Sequence, residues 1–436
     1  MVLSTPSYDI LHQHYCWLIP MVGSRLFMMR MGPAEPATGE YTTGYVHDGA
    51  SGSDKKIGVV GLVLYDMRRR GKVDWIGMVG TTGRKNSGLR AHLDSQIARG
   101  YKDMDVTTEL FPADDVTYSP TEYMRAIDRM QPGDGITIFT PDDTHFDIAL
   151  YAIRHKLHVL IAKPAVQSVA HHKILIQEAR NHGVLVVIEF HKRFDPIYSD
   201  ARERIRSLGD FGFFSSYMSQ PKFQLHTFRS WAGKSSDISY YLNAHHIDMH
   251  IWSLKGHARP VSVTASAAAG VATGAPYDCV AGTMDTITLL VTWENIASGN
   301  PGTAVYTASW AAPKAEVHSQ QRFFYTGHKG EVRVDQAHRG YEVATDASGY
   351  ASVNPLFMRY TPDAHGYYCG QQGYGHQSIE AWADACLAIK QGKSTSADFV
   401  GQLSTLEDTL TVTAVLEAGH KSLQRGGVPV PIDVDL

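Results

Sequence analysis

Residues 136–164 read ITIFTPDDTHFDIALYAIRHKLHVLIAKP, and this stretch decides the fold. Ile136 to Phe139 is a short apolar run rich in β-branched and aromatic residues, the composition of a strand buried on both faces. Thr140-Pro141-Asp142-Asp143-Thr144 breaks it, and Asp143 or Thr144 can cap a helix by accepting a bond from a first-turn N–H. Phe146, Ala149, Leu150 and Ile153 then recur at helical spacing. Val159-Leu160-Ile161 is a second strand, with Lys163-Pro164 at its carboxyl end. Ligands of open parallel sheets bind outside the carboxyl ends of strands. The loop of Pro141 and Asp142 and the loop of Lys163 therefore point to one site.

TPDDTH followed by HVLIAKP resembles the Gfo/Idh/MocA family, the group of glucose–fructose oxidoreductase and inositol dehydrogenase. The family pattern is a TPN-type turn, a His shortly after, and EKP at the end of the next strand; here Ala162 stands where the Glu is usual. Further on, the strand VLVVIEF (184–190) leads into Arg193-Phe194-Asp195-Pro196, close to the family's R-F-x-P. Asp195 is a helix cap and Pro196 a favoured first helical residue. Arg193 is either structural or substrate-facing.

Upstream, Arg25 to Met31 reads as a first strand, followed by glycines at Gly32, Gly39 and Gly44. A dinucleotide loop needs glycines for its tight turn and for close approach to the pyrophosphate. There is no clean GxGxxG, and Pro33 and Pro36 remove backbone donors. Ile57 to Arg70 reads as a helix whose terminal Arg68-Arg69-Arg70 suits the negative dipole end, as a solvated terminus. Val73 to Gly80 is the second strand. After it, Gly80-Thr81-Thr82-Gly83-Arg84-Lys85 offers hydroxyls and two cations but no acid. An acid there selects NAD, and an Arg accommodates the 2′-phosphate of NADP. NADP(H) is thus the expected cofactor, with NAD(H) as the alternative.

Phe211 to Phe223 opens a second half. The family's D-x-x-x-H-x-x-D helix maps onto Tyr241, His245 and Asp248, so Tyr replaces the first Asp. On a helix these three lie on one face. His245, His246, Asp248 and His250 are metal-ligand types, but no second cluster completes a set and the implied chemistry needs no metal. Alternating runs from Val261 to Asp346 read as hairpin-linked strands of a large antiparallel sheet. Tyr374 and His376 stand just before a helix, either lining the site or in a surface turn.

The expected class is α/β: a Rossmann-type doubly wound parallel sheet over residues 25–165, then an α+β domain with a large, mostly antiparallel open sheet over 166–436. Residues 1–24 lack a basic start and a cleavage site and read as an extension. At 436 residues with net charge −4, there is no bulk electrostatic case for nucleic acid or an anionic membrane. Four scattered cysteines favour reduced thiols and a cytoplasmic location.

The resemblance implies hydride transfer between nicotinamide and a sugar or sugar acid. It gives catalytic roles to Lys163, His245 and Asp248. It implies cofactor contacts from Gly32, Gly39, Tyr41, Thr42, Thr81 and Arg84, and from Thr140, Pro141, Asp142, His145 and Lys163. Arg193, Trp231, Tyr241 and His246 would face the substrate. Within the family, GEYTTG (39–44), SDISYYLNAHHID (236–248) and AKPA (162–165) are most similar to fungal D-galacturonate reductases. That implies reduction of D-galacturonate to L-galactonate, with Lys192, Arg193, Arg229 or Lys234 pairing the carboxylate. Inositol-, glucose- or xylose-type substrates are the alternative. A rival of another class is a dinucleotide-binding regulator resembling the yeast galactose-pathway repressor. A homo-oligomer through the open sheet is the family expectation.

Overall fold

A computed structural model describes residues 25–29, 36–46, 49–50, 57–315, 317, 319–347 and 349–434. The expected extension 1–24 and Gly32 lie outside the described residues.

Six short strands form one fully parallel sheet: β1 (Arg25–Met29), β2 (Trp75–Val79), β3 (Glu109–Phe111), β4 (Gly135–Ile138), β5 (His158–Ala162) and β6 (Val186–Glu189). Their order is β3-β2-β1-β4-β5-β6, so the chain reverses direction across the sheet between β1 and β4. Connections leave the sheet on opposite sides at that point and open a crevice at the strands' carboxyl ends. The sheet extends beyond residue 165, because its sixth strand is Val186–Glu189. That edge is covered: the Ile188 N–H donates to Ser404 O at 2.8 Å.

The covering helices form where the pattern demands. In this numbering they are α1 (Pro36–Thr42), α2 (Val60–Arg69), α3 (Asn86–Leu93), α4 (Glu122–Ile127), α5 (His145–Arg154) and α6 (Val169–His182). Helix α5 buries Ile148, Ala149, Ala152 and Ile153 against the sheet. Helix α6 starts at Ser168, whose hydroxyl accepts the His171 N–H, and stops at Gly183 with φ 65°. Glycine takes that left-handed conformation without a Cβ clash. Helix α7 (Pro196–Arg206) is capped as the sequence dictates, Asp195 Oδ1 accepting the Ile197 N–H at 2.9 Å.

The arginine triplet ending α2 is no mere solvated terminus. Arg69 and Arg70 bind the fully buried Asp66 at 2.6 and 2.7 Å, and His376 reaches it at 3.2 Å. Burial opposes ionisation of Asp66, but those bonds outweigh it and hold its carboxyl below the usual range. His376 is therefore an anchor of α10 (Tyr374–Lys390) onto α2 rather than a lining residue. Ile379 and Trp382 of α10 share a core with Leu64, Leu160 and Val187, so this late helix covers a face of the first sheet.

The second sheet has seven strands: β7 (Phe211–Pro221), β8 (Ala258–Ala268), β9 (Thr286–Asn295), β10 (Pro301–Ala312), β11 (Gln320–Gly327), β12 (Gly330–Asp335) and β13 (Val430–Pro431). Its order is β12-β11-β7-β10-β9-β8-β13, antiparallel except for the β10–β7 pair. After α8 (Leu225–Phe228), α9 (Ala244–Leu254) and later α11 (Leu406–Gln424) cover one face. Phe214, Trp293, Tyr306, Phe323 and Tyr325 are buried there, and His250 stacks on Phe214 with centroids 4.2 Å apart. Phe213 and Leu290 remain exposed. No helix among the described residues is long and apolar enough to cross a membrane.

Candidate active site

The turn after β4 is held from within and from the next loop. Thr144 Oγ1 donates to Pro141 O at 2.7 Å. The fully buried His145 places Nε2 3.0 Å from Thr140 O and Nδ1 2.9 Å from Pro164 O. One imidazole thus ties the Thr140–Asp142 turn to the Lys163–Pro164 loop. Burial lowers its proton affinity, against the pull of the carbonyls. The sequence reading gave His145 to the cofactor; with both nitrogens on backbone carbonyls, it is the brace behind that surface.

In front of the brace lies a cavity of about 300 Å³. Glu40 and Tyr41, from the connection after β1, face Phe139 to Asp142, from the turn after β4, so the cavity occupies the crevice between β1 and β4. The Tyr41 and Phe139 rings meet at 5.6 Å. The Lys163 ammonium donates to Tyr241 O and sits 4.0 Å from the centre of the Tyr241 ring. Tyr241 belongs to a π-helical turn, Ser239–Asn243, that leads into α9. The aromatic that replaces the motif's first Asp thus supports the lysine through its ring face and backbone. Asp142 accepts a bond from Ser236 Oγ at the same wall. Burial raises its carboxyl to about 7, against the lowering effects of Ser236 and Lys163.

His245, a turn beyond Tyr241 along the same helical stretch, also lines the cavity and is 6% exposed. Burial, with the charge of Lys163 and then of neighbours including His191 and Lys192, pushes its proton affinity well below the ordinary value. Its Nδ1 has no hydrogen-bond partner, and neither has Gln220 Oε1 nor Ser319 Oγ, which line the same cavity. Buried polar atoms without partners cost about 1–3 kcal/mol each, so three around one cavity call for a polar ligand.

Trp231 and Tyr241 line the cavity. Asp248, Arg193 and His246 do not. Arg193 clasps Asp248 with two bonds, at 2.9 and 2.6 Å, in a buried pair. Asp248 therefore neither orients His245 nor meets a ligand, and Arg193 is structural. Three residues past His245, the carboxylate has turned toward α7's N-terminal loop. His246 Nε2 hydrogen-bonds the Tyr198 Oη at 2.8 Å instead of facing the cavity. With His250 Nδ1 2.6 Å from Tyr306 Oη, the ligand-type side chains of α9 are separately engaged. Among the described residues, no group of three or more His, Cys, Asp or Glu is arranged to hold a metal.

On the nucleotide side, Gly39 lies within α1 rather than in an open phosphate loop. Its carbonyl accepts the Thr43 and Gly44 N–H groups at 3.0 and 2.7 Å, closing the helix at Gly44 with φ 74°. Thr42 is fully buried and off the cavity wall. Thr81 and Thr82 are buried at the end of β2, where with Lys85 they line a small recess; Arg84 is exposed beyond them. The sequence reading passed over Glu189, whose Oε1 accepts from Ser378 Oγ at 2.8 Å, and gave His191, Gln220 and Ser236 no role. For Glu189 and His191 a signal existed: they end a buried strand of the parallel sheet, where ligands bind.

Residues 76–190 match the Gfo/Idh/MocA model, described as an oxidoreductase family with an NAD-binding Rossmann fold. A 75-residue stretch is 35% identical to scyllo-inositol 2-dehydrogenase (NAD⁺) of Bacillus subtilis; it spans 17% of this chain and 22% of that relative. The structure of GenD2 from gentamicin A biosynthesis, in complex with NAD, is similar at TM-score 0.61 and 18% identity, all of each chain being covered. Scyllo-inositol dehydrogenase of Lactobacillus casei, with NAD(H) and scyllo-inositol, gives TM-score 0.61 and 15% identity over 94% of this chain and 99% of that one. The fold is thus a Rossmann-type domain joined to a mixed, mostly antiparallel sheet. The family match covers residues 76–190, within the region of the first sheet.

Proposed function

We propose that this chain is a nicotinamide-dependent oxidoreductase of the Gfo/Idh/MocA type that acts on a polyhydroxylated substrate at a CH–OH or carbonyl carbon. The observation that carries this reading is that Lys163 and His245 line one cavity in the crevice between β1 and β4. The residues there fit a dinucleotide's reactive end. Tyr41, Phe139 and Pro141 give an apolar wall, and Thr140 and Asp142 give polar atoms beside it. When bound, the nicotinamide supplies or takes up the hydride.

Lys163 holds the substrate's reacting oxygen and offsets its developing negative charge by a charge-assisted bond. Tyr241 fixes the ammonium for that task. His245, a neutral imidazole, bonds the reacting hydroxyl, and Gln220 and Ser319 bond other hydroxyls. Lys163→Ala is expected to lower kcat roughly 10²–10³-fold while dinucleotide binding, followed by fluorescence, persists. Undiminished turnover would sink the assignment.

We favour D-galacturonate, reduced at its C1 aldehyde to L-galactonate, as substrate. Of the four cations considered for its carboxylate, Lys192 is the one at the cavity wall. NADPH is the preferred donor in this reading, since Arg84 and Lys85 follow β2 without an acid. A panel of uronates, myo-inositol, glucose and xylose with either cofactor, followed by nicotinamide absorbance, tests both points. Turnover of inositol or glucose but not galacturonate would replace the substrate, and equal use of NADH would remove the cofactor preference. The exposed apolar residues of the second sheet, Phe213 and Leu290, support self-association through that face.

A further inference from the structure

The end of β6 carries polar groups that the mechanism above does not use. Glu189 is 4% exposed, and its carboxylate is gripped at both oxygens. Ser378 Oγ of α10 donates to Oε1 at 2.8 Å, and His191 Nδ1 donates to Oε2 at 3.1 Å. Because a carboxylate only accepts, the His191 Nδ1 carries hydrogen, and Nε2 is the nitrogen left for a ligand. The ring is clamped as well as bonded: it stacks on Tyr374 with centroids 5.7 Å apart and meets Phe357 at 5.4 Å. His191 lines the cavity and lies 5.2 Å from the His245 ring, centre to centre.

Two imidazoles therefore border one cavity in different settings. His245 has no carboxylate partner, and Lys163, His191 and Lys192 all oppose a positive charge on it. His191 has a fixed carboxylate on its far nitrogen. A carboxylate so placed holds the tautomer and balances the charge that the ring gains with a proton. The groups facing His191 are Glu189, the neighbouring Lys192, His245 from α9 and Tyr374 from α10.

We propose that His191, positioned by Glu189, is a catalytic acid–base residue of the oxidoreductase reaction, a role that rests on the function proposed above. In the reducing direction the carbonyl carbon receives a hydride from the reduced nicotinamide, and the carbonyl oxygen receives the proton of His191 Nε2. One C–H and one O–H bond form, the C=O π bond and the Nε2–H bond break, the substrate is reduced and the nicotinamide oxidised. The neutral ring recovers its proton from solvent. Glu189 acts through His191 and is a positioning residue.

The test compares wild type, His191→Ala, His191→Phe and Glu189→Gln, with D-galacturonate and NADPH and, in the other direction, myo-inositol and NAD⁺. His191→Ala is expected to lose roughly 10²-fold in kcat, to keep its dinucleotide affinity, and to recover turnover with added imidazole. Glu189→Gln is expected to displace the pH profile of kcat with little change in KM. A purely structural role moves neither the imidazole rescue nor the pH profile. If both His191 variants turn over with wild-type kcat and pH profile, the inference fails while the function stands. If the same loss occurs without imidazole rescue and with an unmoved profile in Glu189→Gln, the inference also fails. If wild type binds the dinucleotide but turns over no sugar or polyol, the function fails and the inference with it.

Discussion

His145 and His245 are both buried histidines beside the same cavity, and their surroundings differ in kind. His145 has each ring nitrogen within 3.0 Å of a backbone carbonyl, on the stretch 140–165 that is contiguous in the chain. His245 faces a cavity with Nδ1 unpartnered, among residues drawn from both sheets. Burial and a helical position do not separate a brace from a reacting group. Position at the cavity does: His145 turns both nitrogens to backbone carbonyls, whereas His245 leaves Nδ1 unpartnered among cavity-lining residues, where a ligand can complete it.

The comparison can be broken most sharply by exchanging the two losses. His245→Asn, losing its bond to the reacting oxygen, is expected to lower kcat roughly 10²–10³-fold with little change in the melting temperature. His145→Ala is expected to do the reverse in emphasis, destabilising the fold by roughly 2–4 kcal/mol through lost bonds and a cavity, read as a shift in urea midpoint. A stable His145→Ala protein with wild-type thermal behaviour would show that the brace is dispensable.

Acid should act on the braces together. Burial depresses the proton affinity of His145, His158, His172, His245, His246 and His250, with His158 and His172 brought to about 4. Groups held neutral in the fold contribute stability above the unfolded value near 6.5 and lose it as pH falls. At pH 5 the loss is up to about 2 kcal/mol for each of His158 and His172. His376 and His420 are shifted upward and, like the raised Asp142, work the other way, but these three are outnumbered by the six depressed histidines. The urea midpoint should therefore fall between pH 7.5 and 5.5; a midpoint that rises would contradict the neutral assignments. Asp142, whose carboxyl is raised to about 7, acts with the opposite sign to the depressed histidines. Its ionisation costs stability as pH climbs from about 4 to 7. Asp142→Asn should melt higher than wild type at pH 8, with the gap narrowing at pH 5.

Legibility followed the range of the interactions. The unit from β4 to β5 could be read because strand, turn, helix and strand are set by neighbours in the chain. The caps Ser168, Asp195 and Gly183 likewise answer to local backbone needs. Asp248 could not be read. Its helical spacing from His245 was right, but its partner is Arg193, 55 residues away, and that pair removes both from the site. Gly39 was misread for a related reason: glycine in a loop and glycine inside the short α1 look alike until the carbonyl's partners are known.

By itself, the sequence determined the strand–helix alternation, the place of Lys163 at a strand's carboxyl end, and the helix that presents His245. These depend on periodicity, capping and chain direction, all local properties. Only the tertiary structure decided which polar groups face the cavity. It turned Asp248 and His246 away, set Tyr241 under the lysine, and brought Glu189 and His191 to the wall, because each of those outcomes depends on partners that come together only when the two sheets pack.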